Sequence, residues 1–307
     1  MTTSPATLTT APILVSPLVS TQWLCDHLGS DALVVLDATV LSVTAFDGRQ
    51  AWLSGLDDYL VTGHIPSAVF ADLLEELSDV SAPFGFTRPS TARFEEVVTA
   101  FGITNGTTVV VYDSAQGQWA ARLWWLFRAF GYDQVAVLDG GLTKWNAEER
   151  PVETGYTEPA PAADPFFATE QPHSWVDKSF VESVLDGRTD ALLLCALAPR
   201  EFSGEAGRRS RPGHIPGSVN VSATRLIDRE TNKLLRRDAL RVAFEQIIDE
   251  ALAGRRVVVY CGSGILAASD ALALTLLGVP DVSIYDGSLA EWVADPAAPV
   301  VATVAAH

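Results

Sequence analysis

The chain contains the same long pattern twice. The segment VVVYDSAQGQWAARLWWLFRAFGYDQVAVLDGGLTKW (109–145) returns as VVVYCGSGILAASDALALTLLGVPDVSIYDGSLAEW (257–292). Each copy reads as an apolar β-branched run, a turn, a helical pattern, a second apolar run, Asp-Gly and a tryptophan. Asp113 falls on Cys261 at an offset of 148, while Asp139 falls on Asp286, and Trp145 on Trp292, at 147. GHIPSAV (63–69) matches GHIPGSV (213–219), and LVVLDA (33–38) matches ALLLCA (191–196). A period near 150 residues is the duplication of a whole domain, because a solenoid unit of ~20–50 residues cannot bury a core by itself.

Each half alternates short apolar runs with helical patterns. The runs are LVVLDA, SAVFAD, TTVVVYD and QVAVLDG in the first half, and ALLLCA, GSVNVS, RRVVVYC and VSIYDG in the second. Near-continuous apolar strands separated by helices predict an α/β chain of two tandem domains, each a mostly parallel sheet with helices on both faces. Pro, Ala and Thr dominate 153–172, which reads as a surface linker between domains at 1–152 and 173–307. STQWLCDHLG reads as a capped helix stopping at Gly29. Cys25 inside it is expected as a small buried hydrophobe. Trp124 and Trp125 are expected in the core or at a domain interface.

The formal net charge is −17, which repels polyanions and argues against nucleic acid or an anionic membrane as partner. It also means that any small-anion site must make its own positive field. The three cysteines, Cys25, Cys195 and Cys261, form no Cys-x-x-Cys pair and no spacing suited to zinc. A reduced, cytoplasmic setting is expected, with no metal or organic cofactor. The first twenty residues lack a basic residue ahead of their apolar patch and are broken by prolines, so they do not read as a signal peptide. No apolar run approaches the ~18 residues of a membrane span.

Cys261 stands where an apolar strand gives way to Gly262-Ser263-Gly264 and a helix, and three readings compete there. It is a buried apolar residue. Or Gly262-Ser-Gly264-Ile-Leu-Ala267 is a dinucleotide turn of the form G-x-G-x-x-A, although only one further strand follows and the equivalent turn of the first half lacks the pattern. Or Cys261 is a nucleophile at the carboxyl end of a parallel strand. The glycines then let successive N–H groups turn toward the sulfur as an anion nest, and the helix N-terminus adds to the field. Both effects favour the thiolate, the reactive form. A cysteine-phosphatase loop would need arginine where Ala267 stands, so phosphate-monoester hydrolysis is disfavoured.

On these residues the chain resembles the two-domain rhodanese sulfurtransferases: tandem halves, GHIP in both, VVVYD then VVVYC, and Asp-Gly followed by Trp in each. The resemblance spans roughly residues 16 to 296. It implies two rhodanese-like domains, a catalytic Cys261 in the second, Asp113 at the same place in a non-catalytic first, and a substrate loop of Gly262, Ser263, Gly264, Ile265 and Leu266. An uncharged Cys-Gly-Ser-Gly loop resembles that of 3-mercaptopyruvate sulfurtransferases more than that of thiosulfate-preferring members, which have basic residues after the cysteine. The implied reaction moves sulfur from either donor through a Cys261 persulfide to cyanide, a thiol or a protein thiol such as a thioredoxin. The resemblance also suggests a proton relay of Ser263, His64 and Asp57 or Asp58, with a structural role in its GHIP turn as the equal alternative for His64; for His214 in the second GHIP turn the structural role is expected.

The sequence departs from the family pattern in two places. Leu194-Cys195-Ala196-Leu197 replaces Leu-Asp-Ala-Arg, and Pro199-Arg200-Glu201-Phe202 has glutamate where the substrate-gripping arginine usually stands. Arg200 and Arg211 are therefore the candidate anion-binding residues, with Arg208 and Arg209 beside them. Cys195 is either a core residue filling the vacated site or a resolving thiol. A non-enzymatic sulfur-carrier or redox-sensing module remains the alternative to an enzyme.

Overall fold

The computed structural model describes residues 11–44, 50–207 and 209–303. Its strands in chain order are β1 (Leu18–Val19), β2 (Leu33–Asp37), β3 (Val40–Thr44), β4 (Gln50–Ser54), β5 (Val69–Phe70), β6 (Thr108–Tyr112), β7 (Val135–Leu138), β8 (Trp175–Val176), β9 (Leu192–Cys195), β10 (Val219–Asn220), β11 (Val257–Tyr260) and β12 (Val282–Tyr285). Two five-stranded sheets share one layout: β5-β2-β6-β7-β1 in the first repeat and β10-β9-β11-β12-β8 in the second. Every neighbour pair within them is parallel. The antiparallel hairpin β3–β4 belongs to the first repeat.

The central strand shows why its sequence is apolar without alternation. Val109 and Val111 enter one apolar cluster with Trp124 and Leu126, whereas Val110 and Tyr112 enter another with Leu24, Leu142 and Trp145. Successive side chains point to opposite faces, and helices cover both, so every position is buried.

The two repeats pack through helices Gln118–Ala129 and Ile265–Leu277. Trp124 and Trp125 are both buried, and the Trp125 ring lies edge-on to Trp175 of the second repeat at 6.3 Å, so these tryptophans are core and interface at once. The second repeat also grips the first: Asp139 accepts the Leu234 N–H at 2.9 Å, and Asn232 donates to the Ala115 and Gly140 carbonyls at 2.8 and 3.1 Å.

Helix Thr21–His27 starts as expected, with Ser20 Oγ accepting the Trp23 N–H at 3.0 Å. Cys25 departs from expectation. It is exposed, because the short helix rests on the sheet through Thr21 and Leu24 and turns the next position outward. The segment 153–172 runs mostly over the surface, but Phe166 plugs into the first repeat against Phe94, Phe127 and Tyr132. Among the described residues no helix is long and apolar enough to cross a membrane.

Candidate active site

Cys261 directly follows β11, and helix Ile265–Leu277 begins four residues later. Gly264 caps that helix at φ +79°, a left-handed conformation that favours glycine. The carbonyls of the turn face away from its centre: Leu289 N–H donates to the Cys261 carbonyl at 3.1 Å and Ala290 N–H to that of Gly262 at 2.9 Å. Ser288 Oγ accepts the Cys261 N–H at 3.2 Å and donates to the Tyr285 carbonyl at 2.8 Å. Among the described residues the N–H groups of Gly262 to Ala267 donate to no main-chain carbonyl, which leaves them for the interior of the turn. Cys261 is 2% exposed, whereas Gly262 and Ser263 are partly exposed, so the approach to the sulfur runs over these two.

The first repeat holds a related turn, one residue longer, with an anion built in: the capping Gly117 stands four residues after Asp113, Gly264 three after Cys261. The Asp113 carboxylate accepts four backbone N–H groups: Ala115 at 2.8 Å and Gly117 at 3.0 Å on Oδ1, Trp119 at 2.9 Å and Ala120 at 3.0 Å on Oδ2. Its carbonyl accepts Leu142 N–H at 3.0 Å, as that of Cys261 accepts Leu289. Gly117 caps the following helix at φ +85°. Burial pushes the Asp113 carboxyl up, and the four amides pull the other way. This turn is thus an anion cradle.

Beside it, Asp37 retains the acid that the second repeat replaces by Cys195. Burial, with a smaller contribution from Asp113, pushes Asp37 from 3.8 to about 6 against the pull of its Thr39 and Tyr112 hydrogen bonds. A carboxyl raised by folding stabilises the protein fully below its unfolded value and loses that contribution as pH climbs through the folded value. Between about pH 4 and pH 7 the native protein is therefore expected to lose roughly 3 kcal/mol relative to Asp37→Asn. Urea unfolding of both proteins across that window checks this. Parallel curves would mean that the fold does not raise Asp37.

The arginines fall differently from expectation. Arg209 reaches the loop: its Nη2 lies 2.6 Å from where a Cβ on Gly262 would stand, so a larger residue there would displace the guanidinium. Glu201 faces Arg209 at 3.6 Å. Arg200 is not at the loop but 77% exposed, with Glu205 at 3.6 Å, because the one-position displacement turns it outward on helix Pro199–Phe202. Arg211 is engaged elsewhere, donating to the Asp295 carbonyl at 2.7 Å and to that of Ala298. Arg208 lies outside the described residues. Ile265 is buried, and Leu266 is half-buried.

The relay of Ser263, His64 and Asp58 is not assembled. His64 is buried and stacked on Tyr59, its Nδ1 at 3.1 Å from the Tyr59 carbonyl and its Nε2 at 3.1 Å from Thr157 Oγ1. Among the described residues no hydrogen bond joins His64 to Ser263. Its surroundings repeat those of His214, which stacks on Phe202 and bonds that carbonyl at 2.7 Å. Each histidine also forms a backbone bridge, to Glu153 and to Val301 respectively. Asp57 and Asp58 are exposed on the first turn of helix Leu56–Val61, and Asp58 lines a 160 Å³ hollow of the first repeat.

Cys195 pairs with Tyr260 across β9 and β11 and shares a hydrogen bond with that side chain. Burial pushes its thiol up to about 12. Both facts fit a core residue rather than a resolving thiol. Sequence reasoning missed Ser288, Arg122 and Asp286. Two of them left a trace: Arg122 as a charge in the apolar helix AARLWWLF, and Asp286 in the Asp-Gly repeated in both halves.

Comparison with known proteins agrees with this architecture. Rhodanese-like domains match at residues 20–148 and 175–295. The chain belongs to the rhodanese-like domain family and carries two such domains. The 3-mercaptopyruvate sulfurtransferase of Rattus norvegicus is 34% identical over 292 residues, covering 92% of this chain and 93% of that protein. That of Escherichia coli K12 is 33% identical over 291 residues, covering 92% and 96%. The thiosulfate sulfurtransferase of Gallus gallus is 32% identical over 290 residues, covering 92% and 95%. The crystal structure of SseA from Escherichia coli, a 3-mercaptopyruvate sulfotransferase, superposes with a TM-score of 0.76 at 32% identity, over 89% of this chain and 98% of that one. The glycines at 262 and 264 thus lie within a rhodanese-like domain, and the dinucleotide reading is dropped.

Proposed function

We propose that this protein is a sulfurtransferase that carries sulfur from 3-mercaptopyruvate through a persulfide on Cys261. The observation that carries the reading is the duplicated strand–turn–helix unit: its first copy holds a carboxylate on four amides, and its second, one residue shorter, puts Cys261 where that carboxylate begins. The Cys261 thiolate attacks the donor sulfur and forms the S–S bond. The carbon–sulfur bond breaks, and its electron pair departs with pyruvate as the enolate, which takes up a proton. Cyanide or a thiolate, including a reduced protein thiol such as a thioredoxin, then attacks the outer sulfur and returns the Cys261 thiolate. One transfer is split into two displacements, with the amides holding the charge in each. Ser263 offers the hydroxyl of the loop for the enolate proton. His64, with both nitrogens engaged, is left out of the relay.

The donor preference follows from charge. Gly262 and Ser263 bring none; of the two guanidiniums at the loop, Arg122 is buried behind Gly264, and Arg209 is the one beside the partly exposed Gly262. One guanidinium suits one carboxylate in bidentate fashion, whereas the thiosulfate dianion calls for more positive charge. Steady-state assays with cyanide as acceptor are expected to give kcat/KM at least about tenfold higher for 3-mercaptopyruvate than for thiosulfate, as one charge contact of ~1.4 kcal/mol would. Arg209→Met is expected to raise KM for 3-mercaptopyruvate about 10–100-fold with kcat nearly kept, the signature of lost ground-state binding. A thiosulfate preference would refute the donor assignment. Gain of one sulfur by mass without turnover would identify a carrier module instead.

A further inference from the structure

Arg122 belongs to the non-catalytic repeat, yet its guanidinium lies at the catalytic turn. It is 2% exposed in helix Gln118–Ala129. Its Nη2 donates to Asp286 at 2.8 Å and to the Phe86 carbonyl at 2.6 Å, and the group sits 4.8 Å over the Trp175 ring. Nη1 is buried and has no hydrogen-bond partner among the described residues. It lies 3.1 Å from where a Cβ on Gly264 would stand, and the Asp286 carbonyl is 3.2 Å from the same point. Gly264 is therefore glycine for two reasons, its left-handed φ and the arginine pressed against it. Asp286 balances the charge from the Nη2 side, but leaving the Nη1 donor buried without a partner is costly. Nη1 is on the side of Gly264, three residues after Cys261.

We infer that Arg122 is a positioning residue for the persulfide cradle: the non-catalytic repeat supplies a buried positive charge that braces Gly264 and strengthens the field on the Cys261 sulfur. The inference rests on the reading of Cys261 as the sulfur carrier. It also assigns the first repeat a share in the chemistry of the second, in a loop whose own side chains are uncharged. The other groups around the turn are Arg209 with Glu201 from the segment after β9, Cys195 on β9, Asp270 buried on the cradle helix, and Asp286, whose second oxygen accepts the Arg88 N–H at 2.8 Å. Arg122 and Asp286 are of opposite sign, so their effects on an anion in the turn oppose each other.

That opposition supplies the test. In a Cys25→Ser background, alkylation of Cys261 by iodoacetamide is followed across pH, with peptide mass assigning the site, for the parent and for Arg122→Met, Arg122→Lys and Asp286→Asn. Arg122→Met is expected to raise the pH of half-maximal rate by about 0.5–1. Arg122→Lys should recover at least half of that rise, and Asp286→Asn should lower the midpoint. A bare structural latch would move Arg122→Met and Asp286→Asn in one direction, because both break the same bond. That result, or an unmoved midpoint in Arg122→Met, overturns the inference. If Arg122→Met fails to fold by thermal melting, the signs of Arg122→Lys (unchanged or slightly up) and Asp286→Asn (down) decide in the same way. Sulfur loading of the parent by 3-mercaptopyruvate, read by intact mass, is measured separately. Its absence would sink the function, whereas the alkylation profiles judge Arg122 regardless.

Discussion

Cys261→Ser is expected to lose turnover with both 3-mercaptopyruvate and thiosulfate by at least about 10³-fold, while the fold survives. Serine keeps the size of the side chain, the N–H bond to Ser288 and the burial at the end of β11. What it removes is a sulfur able to ionise and to hold a second sulfur. A serine hydroxyl in the same turn is not ionised to a useful extent. No other thiol is placed to substitute. Cys25 is exposed in the first repeat, and Cys195 faces Tyr260 with its thiol pushed up to about 12. Thiocyanate production and intact mass after donor treatment are the measurements. Residual turnover above a tenth of the parent, or a retained sulfur adduct, would put the carrier elsewhere.

The second large effect is on stability. Asp113→Leu is expected to cost about 3–5 kcal/mol of unfolding free energy and to lower Tm by about 10 °C. The fully buried carboxylate accepts four amides, and leucine, branched alike but bulkier, accepts none. The N–H groups of Trp119 and Ala120 would then face hydrocarbon, while those of Ala115 and Gly117 lie in a partly exposed turn. Thermal and urea unfolding of both proteins measure the loss. A cost under about 1 kcal/mol would mean that the amides find other acceptors, and the comparison with the Cys261 turn would lose its force.

Much of this was legible in the chain. The 150-residue duplication and the unbroken β-branched runs identified two parallel sheets, because a strand buried on both faces cannot alternate polar with apolar residues. The strand–Cys–Gly–x–Gly–helix order located the sulfur, since a turn between a parallel strand and a helix allows few backbone paths. The flanking residues were harder. Sequence put Arg200 and Arg211 at the loop, but a displacement of one position on the short helix Pro199–Phe202 faces Arg200 to solvent, and Arg211 is drawn to the carbonyls of Asp295 and Ala298. Spacing along the chain does not determine which of several arginines in an irregular segment bends back over Gly262. The His64 relay failed for a related reason. The His64 Nδ1 is taken by the Tyr59 carbonyl and its Nε2 by the Thr157 hydroxyl, a residue far along the chain, so both ring nitrogens are already engaged.

The sequence by itself determined what is local and periodic: the repeat, the strand faces, the capped helices and the cysteine at a glycine turn. These follow from the steric and hydrophobic rules that each short segment obeys alone. Only the tertiary structure decided what comes from far along the chain: Ser288 under the Cys261 amide, Arg209 over Gly262, and Arg122 reaching from one repeat to Asp286 and Gly264 of the other. Such contacts depend on how two sheets and their facing helices dock, and docking reads summed surface shape rather than the order of residues in any one segment.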